Sequence, residues 1–223
     1  MGMIDEGRVF VDRRDAGFEV AKLLEENYKD KNALVLGIPR GGVVIAYEIA
    51  NVIHGELAVV VTKKLPHPDH EELAIGAAAE DGSLYLTAYS GHISHDTIQH
   101  IIDIQLKEIQ SRVRRFRNSA ALPDMNGRIV IIADDGIATG ATLVPAIKMC
   151  RNKNAAKIIV AAPVSGTTYV PEINALADEV VIVERPDDFY AVGQVYEDFH
   201  HLEDEEVVDL INDFKRAKYG AKR

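Results

Sequence analysis

Residues 129–142 read IVIIADDGIATGAT. Ile129–Ala133 is a run of apolar, mostly β-branched residues, the pattern of a strand buried on both faces. Two carboxylates, Asp134 and Asp135, stand where that strand should end. Gly136, Ile137, Ala138, Thr139, Gly140, Ala141 and Thr142 follow, small and hydroxyl-bearing apart from Ile137, and open into a helix expected from Leu143 to Cys150.

In an open α/β sheet, ligands bind where strands end and helices begin. A turn of Gly, Ala and Thr lets backbone N–H groups approach a phosphate, and the helix N-terminus behind it adds partial positive charge. The two acids repel a phosphate, but they can accept hydrogen bonds from a vicinal diol or reach a cation. A diol acceptor beside a phosphate cradle suits a ribose 5-phosphate. Other glycine-rich loops fit less well. No Lys follows Gly140, as the nucleotide-binding P-loop requires, and the Gly-x-Gly-x-x-Gly dinucleotide fingerprint is absent. A plain turn capped by Asp is disfavoured, because two successive acids ending a buried strand are costly without partners.

Residues 130–142 resemble the phosphoribosyl-pyrophosphate (PRPP) signature of the type I phosphoribosyltransferases: four apolar residues, two acids, two variable residues and a Thr-Gly-x-Thr turn. The resemblance implies an α/β fold with a mostly parallel central sheet flanked by helices and a small hood subdomain. It implies one domain over residues 1–223, with a flexible loop and hairpin at about 64–90 and a hood drawn partly from about 164–203.

Composition is that of an ordinary globular chain, with 223 residues, 47% hydrophobic, 27% charged and a net charge of −10. Acidity argues against nucleic acid or an anionic membrane as a partner attracted by the overall field. One cysteine, Cys150, allows no intrachain disulfide and suits a cytoplasmic setting. No run reaches membrane-spanning length, and MGMIDEGRVF lacks the apolar core of a secretion signal.

Along the chain, residues 12–28 carry a helical apolar stripe with Asp12 or Asp15 as cap, and Arg13-Arg14 reads either as a solvated first turn or as a ligand contact. Ala33–Ile38 reads as a strand followed by Pro39-Arg40-Gly41-Gly42 and a helix from Val43, a second crevice with glycines for close approach and a cation. Leu57–Thr62 reads as the next strand, ending in Lys63-Lys64. Leu65–Glu72 reads as a loop whose His67, His70 and acids match no standard metal spacing. Ala74–Ala79 and Ser83–Ala88 flank an Asp-Gly hairpin turn. Residues 96–117 form the clearest helix, with four Arg near its end that read better as a solvated helix end or subunit contact than as a nucleic-acid patch. Further strands are expected at Ile158–Ala162 and Val180–Val183, helices at 143–152, near 170–176 and at 203–218. The alternation predicts a mostly parallel sheet.

The resemblance also assigns roles. Residues 136–142 would hold the 5-phosphate, and Asp134 and Asp135 the ribose hydroxyls. Pro39, Arg40, Gly41 and Gly42 would form the pyrophosphate loop, with Arg40, Lys63 and Lys64 as the catalytic cations. Mg²⁺ would be held mainly by PRPP, through Asp134 or Asp135. Phe189, in a Pro-Asp-x-Phe segment, would stack on the acceptor base or else pack beneath the hood. The chain would be an Mg²⁺-dependent homodimer transferring a phosphoribosyl group to a nitrogenous base, or a PRPP sensor without catalysis. It departs from the 6-oxopurine enzymes at Ala138, where they carry an acid, and at Pro163-Val164-Ser165, where they carry a Lys. Those departures argue against a 6-oxopurine acceptor.

Overall fold

The computed structural model describes residues 9–220 except Glu71. The signal-sequence reading thus falls almost wholly on residues outside the described part, as does Glu71 of the histidine-rich loop. Helix α1 (Arg13–Tyr28) starts at Asp12, whose carboxylate accepts from the amides of Arg14 and Asp15. Strand β1 (Leu34–Gly37), α2 (Gly41–Ile53) and β2 (Glu56–Val59) follow. The chain continues through β3 (Thr62–Pro66), β4 (Ala74–Ala79), β5 (Leu84–Leu86) and α3 (His95–Arg117). Strand β6 (Ile129–Ala133), α4 (Leu143–Asn152), β7 (Lys157–Val164), α5 (Glu172–Leu176), β8 (Glu179–Glu184) and α6 (Asp204–Tyr219) complete it.

The main sheet has the order β2-β1-β6-β7-β8, parallel throughout. Side-chain alternation along its strands sorts the core onto two faces. Leu34, Leu36, Val130, Ile132, Ile158 and Val160 pack with Leu143, Ala146 and Ile147 of α4. Val35, Ile131 and Ile159 pack with Val20 and Leu24 of α1 and Ile45 and Ile49 of α2. Both faces are covered, which is why the strands read as unbroken apolar runs. A third cluster joins β3 and β4 to α3 and α6 through Val61, Leu65, Ile75, Ile109, Phe116 and Ile211.

The structure corrects the expected strand over Leu57–Thr62. Val60 still donates to Gly37 O at 3.1 Å, continuing the parallel ladder. At Val61 the partner changes: its amide donates to Glu80 Oε2 at 2.9 Å and its carbonyl accepts from Glu80 N at 3.1 Å. Residues 62–66 then pair antiparallel with β4, so Leu65 and Pro66, expected in a loop, are strand residues. The expected hairpin is present as β4 and β5. Of the stretch 164–203, β8 is the edge strand of the main sheet. Residues 185–203 contain a short 3-10 turn at Val192–Val195, and Tyr196 pairs with Phe10 beside it.

One buried ion pair fixes the junction between the sheets. Arg117, at the end of α3, pairs with Glu80 and donates to Val59 O at 2.8 Å, while the other Glu80 oxygen holds the Val61 amide. Arg117→Met leaves the Glu80 charge buried and unpaired. It should cost about 3–5 kcal/mol in denaturant unfolding, and Arg117→Met/Glu80→Gln should recover part of that loss.

Candidate active site

The chain steps from β1 outward to β2 in one direction and from β6 to β7 and β8 in the other. The two directions diverge between the neighbouring strands β1 and β6, and a crevice opens beyond their carboxyl ends at such a switch point. The loop 38–42 leaves β1 there, and the loop 134–142 leaves β6. Glycine is what lets them meet. A Cβ on Gly42 would lie 2.5 Å from Ala133 O and 2.9 Å from Asp134 Cα. A Cβ on Gly41 would lie 1.8 Å from Asp135 Oδ2, so this carboxylate rests against the first turn of α2. That helix has no side-chain cap, and its open amides favour the two acids beside them.

Asp135 Oδ2 accepts from Arg13 Nε at 2.8 Å. Arg13 also donates to His200 O at 2.9 Å and lies over the Phe199 ring at 3.9 Å. Phe199 stacks on Tyr196, and the Tyr196 hydroxyl donates to Asp135 O at 2.6 Å. Burial, and secondly the Asp135 charge, hold the Tyr196 phenol well above its usual range, so it remains a donor. Asp134 has no ion-pair partner among the described residues; its Oδ1 accepts the Asp135 amide at 3.0 Å. Burial, with the Asp135 charge next to it, pushes the Asp134 carboxyl well above the ordinary carboxylate range.

The turn 136–142 is pinned by its carbonyls. Ile137 O accepts from Gly166 N at 3.3 Å, Thr139 O from Val170 N at 3.0 Å and Gly140 O from Leu143 N at 3.0 Å. Gly140 has φ +74°, a left-handed conformation suited to glycine, and Ile173 fills the space a Cβ would need. Of the amides, Ile137 N donates to Val164 O at 2.8 Å, and Ala141 N points at Thr139 Oγ1 at 3.5 Å. The amides of Ala138, Thr139, Gly140 and Thr142 donate to no acceptor among the described residues. Helix α4 behind them carries no side-chain cap. A turn with tethered carbonyls and open amides before a bare helix end is a fitting anion site.

Pro39, Arg40, Gly41, Asp134 and Asp135 line one cleft of about 420 Å³, together with Arg13 and residues 199–202. Ala138, Thr139 and Phe189 line a second hollow of about 260 Å³ with residues 166–168, Asp187 and Tyr190. Phe189 packs against Gly166, whose Cβ would come within 2.9 Å of the ring, so its position matches the packing reading while one side still borders the hollow. Lys63 and Lys64 line neither. Lys63 is ion-paired with Glu108 of α3, and Lys64 is exposed on β3. Arg40 reaches His201 Nε2 at 2.6 Å. The sequence alone leaves Arg13 undecided and does not single out Tyr196, Phe199, His200 or His201. Only the adjacency of the two histidines hints at a site.

Residues 12–200 match the phosphoribosyl transferase domain. Two Mycobacterium tuberculosis proteins, from strains CDC 1551 / Oshkosh and H37Rv, carry a provisional phosphoribosyl transferase name. Each is 39% identical over 219 residues, 96% of this chain and 49% of the relative. This chain therefore spans about half the length of the curated relatives it matches. The crystal structure of TT1426 from Thermus thermophilus is 35% identical, with a TM-score of 0.79, covering 92% of this chain and 99% of that one. The chain belongs to the type I phosphoribosyltransferase family.

A carboxyl whose folded-state pKa is raised opposes folding once it must ionise. That cost is absent below the ordinary value of 3.8 and grows as pH rises through the folded value. Asp134→Asn keeps the Oδ1 acceptor and removes the charge. Its melting temperature should exceed that of the wild type at pH 8, and thermal melts should find the gap closing towards pH 4.

Proposed function

We propose that this chain binds PRPP and transfers its 5-phosphoribosyl group to a nitrogenous acceptor, releasing pyrophosphate. The observation that carries the reading is the pairing, at one switch point, of two acids with a turn whose amides at 138, 139, 140 and 142 are open. The open amides and the N-terminus of α4 would bind the 5-phosphate, with the Thr139 and Thr142 hydroxyls in support. Asp134 and Asp135 would accept from the ribose 2′- and 3′-hydroxyls. The uncapped N-terminus of α2 at Gly41 and Gly42, with Arg40, would bind the pyrophosphate.

In the transfer, the bond from C1 to the acceptor nitrogen forms as the bond from C1 to the pyrophosphate oxygen breaks. Positive charge develops on C1 and the ring oxygen, and fixed carboxylates close to the ribose stabilise it without a covalent intermediate. Arg40 and the α2 amides stabilise the charge leaving with pyrophosphate. Mg²⁺ suits the donor set. It takes one or two carboxylates plus phosphate oxygens, and Asp134 has no ion-pair partner among the described residues. When bound, the ion would neutralise part of the diphosphate charge. Among the described residues no cluster of three or more His, Cys, Asp or Glu side chains could hold a metal alone. Lys63 and Lys64 stand outside this assignment, since neither lines the cleft.

The acceptor would sit in the hollow beside Phe189 and Asp187. Ala138 offers no general base, and the segment Pro163-Val164-Ser165 stands where a 6-oxopurine enzyme carries a Lys. The reading therefore favours an acceptor other than a 6-oxopurine. Binding of PRPP without transfer is the second reading, favoured by the same absence of a base at position 138. We assign the chain to the cytoplasm on its single, buried cysteine. Among the described residues no helix is long and apolar enough to cross a membrane.

Calorimetric titration of PRPP with Mg²⁺ should give binding that Asp134→Asn or Asp135→Asn weakens about 10–100-fold, the value of a hydrogen bond to a charged group. Equal affinity in wild type and both variants overturns the diol role. A screen of nucleobases and simple amines for pyrophosphate release separates the two readings. Release with one acceptor establishes transfer, and tight PRPP binding without release from any establishes the sensor.

A further inference from the structure

The cleft at Arg40 has a shortage of cations. A diphosphate brings several negative charges, and Asp134 and Asp135 face the same space. Arg13 is already committed to Asp135 and to the His200 carbonyl. Lys63 is held by Glu108 on α3. Arg40 lines the cleft with looser ion pairs, 3.8 Å to Glu203 and 3.7 Å to Asp204, and the side chain in hydrogen-bond contact with it is His201, with Nε2 at 2.6 Å from Nη2. A guanidinium can only donate, so in this contact Nε2 is the acceptor. Imidazole is the side chain that gains and loses its charge near neutral pH.

We propose that His201 is a second pyrophosphate ligand, taking up a proton as the diphosphate takes its place on Arg40. The inference rests on the reading of the cleft given above. The exchange balances simply. The Arg40 N–H that donated to Nε2 donates instead to a phosphate oxygen. The freed Nε2 lone pair takes a proton from solvent, and the new N–H donates to the same diphosphate. The ring is 70% exposed, so solvent can supply the proton. The charged groups around it are few. Glu203 lies 3.9 Å from Nε2 on the same segment. Asp204, at the start of α6, lies 3.7 Å from Arg40, and it also pairs with Arg115 of α3 at 2.6 Å. Asp134, Asp135, Arg13 and His200 line the remaining walls. With the Glu203 carboxylate 3.9 Å away, a cationic His201 has a counter-charge on its own segment. An acidic chain thereby gains a positive charge at the cleft only when an anion is present.

The test is calorimetry with metal-free inorganic pyrophosphate at pH 7.5, in two buffers of different ionisation enthalpy, which counts protons taken up on binding. The full chain, His201→Gln and His201→Lys are compared. His201→Gln should bind about 10-fold more weakly, the equivalent of one charge-assisted contact. It should also take up fewer protons than wild type, with an unchanged melting temperature. His201→Lys should restore affinity without restoring the uptake. Equal affinity or equal proton uptake in wild type and His201→Gln overturns the role of His201. If wild type binds neither pyrophosphate nor PRPP, the reading of the cleft falls as well; if PRPP binds and the variants behave alike, only this inference falls.

Discussion

The Arg13 guanidinium is the tie on which the site depends. It belongs to the first turn of α1, yet its contacts lie 122 residues away at Asp135 and 187 residues away at His200. It fixes the second acid of the strand end, supports the Phe199 ring, and through His200 O anchors the segment that crosses the cleft. A buried charge of this kind persists only where every donor finds a partner. The same requirement explains why α1 must pack tightly on α2. Gly17 lets the helices approach, since a Cβ there would lie 3.0 Å from Glu48 Cβ and 3.1 Å from Ile45 Cα.

Much of this was legible in the sequence. The alternation of apolar strands with amphipathic helices predicts the parallel sheet, and Asp134-Asp135 followed by small residues marks its switch point. The turn's open amides agree with that reading because Gly140 and its neighbours carry no side chain large enough to cover them. What escaped has physical causes. Val59, Val60 and Val61 are all buried, so the run looks like one strand, although the ladder changes partner at Val61. That change sets Lys63 on a strand packed against α3, where Glu108 meets it. Adjacency to a strand end in sequence did not place it at the crevice. Arg13 stayed undecided and Tyr196 and His201 escaped for another reason: their contacts are tertiary ones across long separations, and no local pattern encodes them.

The charge distribution follows a consistent logic. A chain of net charge −10 cannot attract a polyanion through its overall field. It offers instead fixed dipoles at close range, the bare N-termini of α2 and α4, with backbone amides that need no side-chain ordering. In the proposed reading the acids are compatible with a phosphorylated ligand, because they would address hydroxyls rather than phosphates. Asp134 is the strained member of this set. Its burial next to Asp135 makes its charge costly, and hydroxyl donors or a cation beside it would offset that cost.

The cleft also has a firm floor and a loose roof. Asp134, Asp135, Gly41 and Gly42 sit on strands and helices whose core residues are almost completely buried. The roof is the segment 197–203, where His200, His201 and Glu203 are exposed, polar contacts reach Arg13 and Arg40, and Leu202 alone packs against the third core cluster. Segments with few buried apolar contacts open at low free energy, and the aromatic contact of Phe199 with Tyr196 limits that opening to the residues beyond it. A ligand bound as proposed beneath this roof would meet the acids and take the place of His201 on Arg40. Geometry that must be exact for chemistry is thus built into the sheet, and the part that must yield for entry is built from surface residues.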